Sequence, residues 1–339
     1  MDKRLQSLQQ WLHTLPSTLG LQTDSLRPAS DDASFRRYFR IDAEGHGATT
    51  RIVMDAPPPM EDIRPFLSVG AFMARAGVRV PECIASDAAQ GFVLLEDFGS
   101  VTYLDALNAE RAPGLYTEAS ETLIRLQCAQ GTEGLPPYDR ERLLRELELF
   151  PEWYVATHRG RRLSEAERQT LSEVFDRLLS NILAQPQVPV HRDYHSRNLM
   201  VLTDGAAPGV LDFQDAVVGP LTYDLVSLLK DAYIEWEEPA VLDWAIRHWE
   251  RARAAGLPVP AEFGDFYRDF EWMGLQRHLK VLGIFARLHH RDGKPRYLQD
   301  LPRVLEHVRR VSRRYSAFSP LAHLLDRIEG DAPGVGLTF

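Results

Sequence analysis

The sequence has two cysteines, Cys83 and Cys128, in 339 residues. Two thiols cannot build a disulfide framework, and no Cys-x-x-Cys pair is available for zinc, so a reducing compartment is expected. The chain also lacks any uncharged apolar run of the ~20 residues that a membrane helix needs. Its first residues, MDKRLQSLQQWLHTLP, lack the continuous apolar core of a secretory leader, and a cytoplasmic location is the expectation. There is no excess of positive charge: 39 Lys and Arg stand against 48 Asp and Glu. The net charge of −9 argues against a general nucleic-acid or anionic-membrane binder, while leaving room for a local basic patch. Internal repeats and low-complexity tracts are missing too. What remains, 44% hydrophobic and 26% charged residues, has the balance of a folded globular enzyme of one large or two moderate domains.

The informative stretch is 188–215, VPVHRDYHSRNLMVLTDGAAPGVLDFQD. A short apolar run, Val188 to Val190, leads into His191-Arg192-Asp193, and four residues separate Asp193 from Asn198. Two more strand signals, Leu199 to Leu202 and Val210-Leu211, flank a turn rich in Gly, Ala and Pro and end at Asp212-Phe213. A hairpin there brings Asn198 and Asp212 to one end, with Asp193 in the loop before it. Amide and carboxylate oxygens suit Mg²⁺, which takes one or two carboxylates and completes its shell with phosphate oxygens. The pattern H-R-D-x-x-x-x-N followed by a strand-borne Asp-Phe is the one kinases use to place a base and two metal ligands. Most Asp residues are ordinary loop acids. His191 and His195 have the i, i+4 spacing of a metal pair, but Pro189 and the β-branched residues beside it argue against the helix such a pair needs.

Leu5, Leu8, Trp11, Leu12 and Leu15 predict an amphipathic helix that Pro16 stops. Residues 26–41 alternate as a hairpin with a small-residue tip around Ser30 to Ser34, and 49–55 as a further strand. A helix over 65–76 and two short strands, the last running through Leu95, complete a small α+β lobe. Beyond it the periodicity predicts helices over 116–130, 140–154, 164–183, 221–236, 239–255, 261–288 and 299–317. Ser164 and Glu167 form a capping-box pattern. The tail after Pro320 carries weaker signals, and GDAPGVG reads as loose.

HRDYHSRN, LDFQDAVVGPLTYDL and the VLLEDFG joint together resemble the aminoglycoside phosphotransferase and choline kinase superfamily. Further strings look closer to the anomeric kinases of bacterial cell-wall recycling, which act on N-acetylmuramate and N-acetylglucosamine. These are DASFRRYFR, RIVMDAPP, FPEWYV and WMGLQRHLKVLGIFARLHHRDGKPRYLQDLPRV. The resemblance implies a bilobal, protein-kinase-like α+β fold. Residues 1–97 would form the nucleotide lobe, 94–98 the hinge, and 98–339 a mostly helical substrate lobe. It implies ATP and Mg²⁺ as cofactors and a small amino sugar as acceptor, with no nucleic acid, membrane or obligate protein partner. The product would be a sugar 1-phosphate that feeds UDP-N-acetylmuramate synthesis.

By the same resemblance Asp193 is the catalytic Asp, and Asn198 and Asp212 are the metal ligands. His191 and Arg192 shape the loop and Asp224 braces it. Ser34, Phe35, Arg36 and Arg37 lie where a loop covers the phosphates, and Leu95, Glu96 and Asp97 where the hinge reads adenine. Glu152, Asp215, Arg277 and His278 are the acceptor-binding candidates. The basic set on the later helices, which also includes Lys280, suits a lactate carboxylate better than a polycation.

One departure from the family pattern stands out. The strand lysine that pairs with the α- and β-phosphates has no counterpart. Met54 occupies its expected position, and Arg51, Arg36 and Arg37 are the available cations, with Glu61 the nearest acid for a partner. This keeps two other readings open beside the amino-sugar kinase. One is an aminoglycoside or choline-type kinase with the same chemistry. The other is a pseudokinase binding module, against which Asp193, Asn198 and Asp212 all argue.

Overall fold

Arg37, Phe39 and Ile41 share one face of a strand and Tyr38 and Arg40 the other, and this alternation organises the first of two compact units. That strand, β2 (Arg37–Ala43), pairs antiparallel with β1 (Leu21–Asp31) and β3 (Thr50–Asp55). β5 (Phe92–Glu96) pairs with β3 and with β4 (Cys83–Asp87), so the five-strand order is β1-β2-β3-β5-β4. Helix α1 (Lys3–Thr14), N-capped by Asp2, buries Leu8, Trp11 and Leu12 against Phe39, Ile41, Val53, Phe92 and Leu94. In register, Phe39 lies opposite Val53 and Arg37 opposite Asp55, so all of these belong to the α1 face. Helix α2 (Ile63–Arg75) follows β3, with Ile63, Phe66, Val69, Phe72 and Met73 buried.

The computed structural model describes residues 2–31, 35–44, 49–203, 205 and 207–330. The first unit is Met1–Ala106 with Arg197–Asp215, and the second is Leu107–Ser196 with Ala216–Phe339. The partition therefore differs from the expected cut at residue 97. The hairpin of β7 (Leu199–Met200) and β8 (Gly209–Val210) belongs with the sheet rather than the helices, and the reason is hydrogen bonding. Val210 N–H donates to the Arg79 carbonyl at 2.7 Å and Val201 N–H to the Val101 carbonyl at 2.9 Å, while Thr102 bridges Met200. Gly209 permits this approach, since a Cβ there would stand 2.5 Å from the Phe98 ring.

The second unit is helical around one strand pair. β6 (Gln187–Val190) pairs antiparallel with β9 (Val217–Pro220). The helices are α3 (Ala112–Gln127), α4 (Arg140–Leu147), α5 (Glu165–Ala184), α6 (Tyr223–Leu229), α7 (Glu238–Ala254), α8 (Phe263–His290), α9 (Leu301–Arg314) and α10 (Ser319–Glu329). The Ser164–Glu167 capping box forms as its sequence predicts.

Three boundaries depart from periodicity. The expected helix over 140–154 breaks after Leu147 into a π-helical segment, Phe150–His158. Pro151 lacks an N–H and its ring crowds the carbonyl four residues back, which widens the turn. Gly283 of α8 then receives this segment at close range: a Cβ there would meet the Leu149 carbonyl carbon at 2.4 Å. The helix expected over 221–236 stops at Leu229 because Asp231 turns away to accept the Ser196 and Tyr233 N–H groups. The weak tail forms α10, closed by Gly330 in the left-handed region, and the rest of GDAPGVG lies outside the described residues. No helix among the described residues is long and apolar enough to cross a membrane.

Three buried histidines in this unit make its stability pH-dependent. Burial drives His248 and His307 down to about 3 and His278 well below its ordinary value. Ser120 Oγ lies 2.8 Å from His248 Nδ1, and the His278 and His307 rings stack at 4.6 Å. Below pH ~6.5 the unfolded chain binds protons that the fold excludes, so stability falls as pH drops from there towards the folded value. Each group adds up to about 1.4 kcal/mol per pH unit across that window. Urea midpoints should therefore fall between pH 7 and pH 5, and His248→Gln should flatten that slope. A slope the substitution leaves unchanged would remove His248 from the account.

Candidate active site

In the second unit, the turn after β6 is held by one carboxylate. Asp224, in the first turn of α6 and fully buried, accepts the His191 N–H at 2.6 Å and the Arg192 N–H at 2.9 Å. Burial pushes it up to about 7 against these two backbone donors, with the Asp193 charge adding to the rise. Arg192 takes φ 80°, a left-handed conformation that costs a non-glycine residue energy and persists only where neighbours enforce it. Its Nη2 donates to Glu146 Oε1 at 2.6 Å and its guanidinium lies 5.4 Å from the Tyr138 ring centre. Glu146 also receives Lys280 Nζ at 3.1 Å and the Tyr138 hydroxyl, and Lys280 donates to Tyr223 Oη at 3.0 Å. Downstream, Ser196 gives its N–H and hydroxyl to Asp231 at 2.9 and 2.5 Å, and Tyr194 Oη donates to the Ala119 carbonyl.

Asp193 lies within this frame, its N–H donating to His191 Nδ1 at 3.2 Å. Burial alone raises its carboxyl, but the charges of Lys280, His195, Arg277 and Arg192 more than offset that, and it falls below the ordinary carboxylate range. The result is a carboxylate that stays ionised with cations around it. It can accept a hydrogen bond from a hydroxyl and take its proton once that hydroxyl becomes acidic.

The first unit carries the other half of the motif. Leu211 N–H donates to the Asn198 carbonyl at 2.9 Å and closes the hairpin. Asn198 Nδ2 is 3.4 Å from Asp212 Oδ2, and Gln214 Nε2 donates to Asp212 Oδ1 at 2.8 Å. Asp212 has φ 61°, which Asp tolerates better than most residues. The next residue, Phe213, is buried against Phe66 of α2 at 4.8 Å, and a Cβ on Gly70 would touch its ring at 3.1 Å. Packing of Phe213 thus fixes the backbone that presents the exposed Asp212. The donors are hard oxygens of an amide and a carboxylate, the set that Mg²⁺ accepts alongside phosphate oxygens. Among the described residues no group of three His, Cys, Asp or Glu forms an all-protein metal cage.

The expected nucleotide residues divide. Ser34 lies outside the described residues, and Phe35 is 61% exposed. Arg37 is committed on the α1 face: its Nε and Nη2 bond the buried Asp55, with Asp2 as a further partner, so it ties α1 to the sheet. Arg36 faces the other way and pairs with Glu61. Glu96 and Asp97 have committed side chains, Glu96 to Arg79 and Asp97 to Arg40, Thr50 and the Gly99 N–H. Any hinge role therefore falls to their backbone.

The acceptor candidates divide as well. Glu152 is exposed on the π-helical segment, and Asp215 belongs to the first unit, where Gln214 Nε2 reaches it at 3.4 Å. His278 is fully buried, Nε2 lies 2.8 Å from the Lys230 carbonyl, and its ring packs on His307. Arg277 fits a ligand role. It is 4% exposed, its charge acts on Asp193 and Asp224, and its Nε and Nη1 have no hydrogen-bond partner. Sequence reasoning missed Glu146 as the hub of the brace. Its one signal was an acid sharing a buried stripe with Leu143 and Leu147.

Residues 25–263 match the phosphotransferase enzyme family. The chain is 50% identical over 337 residues to a curated protein of Neisseria meningitidis serogroup B named N-acetylmuramate/N-acetylglucosamine kinase, with 98% of each chain covered. It is 47% identical to the Pseudomonas aeruginosa protein of the same name, with 96% of each covered. Among solved structures, a choline/ethanolamine kinase family protein from Mesorhizobium loti superposes with a TM-score of 0.62 at 13% identity. That alignment covers 96% of this chain and 99% of the other, and at this identity it carries the fold alone.

Proposed function

Because the chain belongs to the phosphotransferase enzyme family, we propose that it is a cytoplasmic kinase that moves the γ-phosphoryl group of ATP to the anomeric hydroxyl of N-acetylmuramate and N-acetylglucosamine. The product is the sugar 1-phosphate, the form that a nucleotidyltransferase reaction in cell-wall precursor synthesis consumes. The observation that carries the reading is Asp193. It is a half-buried carboxylate kept ionised by Lys280, His195, Arg277 and Arg192, on a loop that Asp224 straps by two backbone N–H groups. A loop so braced holds an attacking hydroxyl in one orientation, and positioning with electrostatics is most of what phosphoryl transfer asks of a protein. Asn198 and Asp212 would hold Mg²⁺ together with the nucleotide, and the ion would supply positive charge to the phosphoryl oxygens.

The basic surroundings also favour this acceptor over a polyamine antibiotic. Ammonium groups brought near Arg277, Lys280 and Arg192 would meet like charge in a buried place. ATP turnover on N-acetylmuramate, N-acetylglucosamine, choline and kanamycin tests the choice: the two amino sugars should turn over and the two cations should not. Turnover confined to kanamycin or choline would overturn the reading.

Arg277 has open N–H donors for the lactate carboxylate that N-acetylmuramate carries and N-acetylglucosamine lacks. Arg277→Gln should raise KM for N-acetylmuramate on the order of 10-fold or more, the worth of a charge-assisted hydrogen bond, and raise it less for N-acetylglucosamine. Equal increases for both sugars would assign Arg277 to the loop instead.

A further inference from the structure

The absent strand lysine leaves a question that the sheet register answers. In β3, Arg51 lies opposite Ile41 and on the same face as Val53, which packs on α1. Arg37 lies opposite Asp55 on that face too, and its guanidinium is bound by Asp55 and Asp2. Arg36 precedes Arg37 by one residue, so it falls with Tyr38 and Met54 on the opposite face, where Met54 takes the lysine's expected place. We propose that Arg36, seated by Glu61, is the fixed cation that this chain offers to the phosphates of its nucleotide. The inference rests on the kinase reading and names the residue that does the work of the missing lysine.

Three observations support it besides the register. Arg36 Nε and Glu61 Oε2 are 3.2 Å apart, and their side chains are only 10% and 13% exposed, so the pair is held rather than solvated. Glu61 Oε1 also accepts the Phe35 N–H at 3.3 Å, which ties the loop entering β2 to the segment before α2. One carboxylate thereby fixes both the guanidinium and the backbone that carries it. Finally, Arg36 lies in the field of Asp212, in the same unit: burial lowers its proton affinity, and Tyr38, Glu61 and Asp212 more than restore it. A permanent cation beside the carboxylate expected to share a metal with the nucleotide is where a phosphate oxygen finds both charges. Tyr38 also hydrogen-bonds the Arg36 side chain, and a planar guanidinium has donors enough to serve Glu61, Tyr38 and an oxyanion together, in a fork geometry that an ammonium does not offer.

A plain ion pair closing the sheet would look similar at rest, and nucleotide binding separates the two. Isothermal titration of the full chain with ATP, ADP and adenosine should give Arg36→Gln losses on the order of 10- to 100-fold for ATP and ADP, the worth of one or two charge-assisted hydrogen bonds. Adenosine affinity should stay unchanged, and Arg51→Gln should bind all three like the wild type. Arg36→Lys should fall between Arg36→Gln and wild type, and Glu61→Gln should lower ATP affinity in the same direction. If Arg36→Gln does not fold, the last two variants carry the test through the ratio of ATP to adenosine affinity. Wild-type ATP affinity in Arg36→Gln, or equal loss for ATP and adenosine, overturns the proposal. A wild-type chain that binds no ATP overturns the kinase reading beneath it instead.

Discussion

Asp193→Asn keeps nucleotide affinity and loses turnover on the order of 10²–10⁴-fold, the range for removing a positioned base. An anomeric hydroxyl is more acidic than the other hydroxyls of a sugar, so its proton can leave late, as the new P–O bond forms. A carboxylate held below its ordinary range is a weak base at the start of that process and a sufficient one at its end. Lys280, Arg277 and Arg192 keep it charged and His195 adds to them, so its protonation should not limit the rate at neutral pH. The amide that replaces the Asp193 carboxylate would donate where the carboxylate accepts, while the strap from Asp224 to the His191 and Arg192 N–H groups is untouched. Stopped-flow or coupled turnover beside nucleotide titration reads both halves. Near wild-type turnover in the variant would take the base role from Asp193.

Asp212→Ala should abolish turnover and leave the fold intact. Asp212 is exposed, so its carboxylate contributes little to packing, and Phe213 beside it holds the backbone through Phe66. Its φ of 61° disfavours Ala by a small amount, so Asp212→Asn is the paired control, since Asn tolerates that conformation as Asp does. Both variants should melt within a few degrees of wild type and show no measurable transfer with Mg²⁺. Substantial transfer by either one would remove Asp212 from the site.

The motif residues were legible because their spacing is set by local geometry. His191 to Asn198 and Asp212 belong to one strand–loop–hairpin passage, and its turn signals and apolar runs are short-range. Helix positions followed from period alone wherever one face packs, as in α1 and α8. Periodicity failed where a distant side chain decides the outcome. α6 ends early because Asp231 serves Ser196, thirty-five residues upstream. The entry to the π segment packs against Gly283, more than a hundred residues on, where a Cβ would meet the Leu149 carbonyl carbon at 2.4 Å.

Charge assignments divided in the same way. The sequence left Arg36 and Arg37 as equal candidates, and the packing of α1 shows which face of the sheet is covered. Arg277 and His278 are adjacent in sequence and read alike as basic helix residues. Both are buried, but the charge of Arg277 acts on Asp193 while the His278 ring stacks on His307. Glu146 gave almost no signal, because a lone acid on an amphipathic helix becomes a hub only when Arg192, Lys280 and Tyr138 converge on it from elsewhere.

The claim that this chain phosphorylates the anomeric oxygen is tested most directly by ³¹P NMR of the product formed from N-acetylmuramate and ATP. The account predicts one new phosphomonoester resonance coupled to the anomeric proton, with loss of the sugar's reducing end. A resonance coupled to the exocyclic methylene, as in a 6-phosphate, with the reducing end retained, would contradict it.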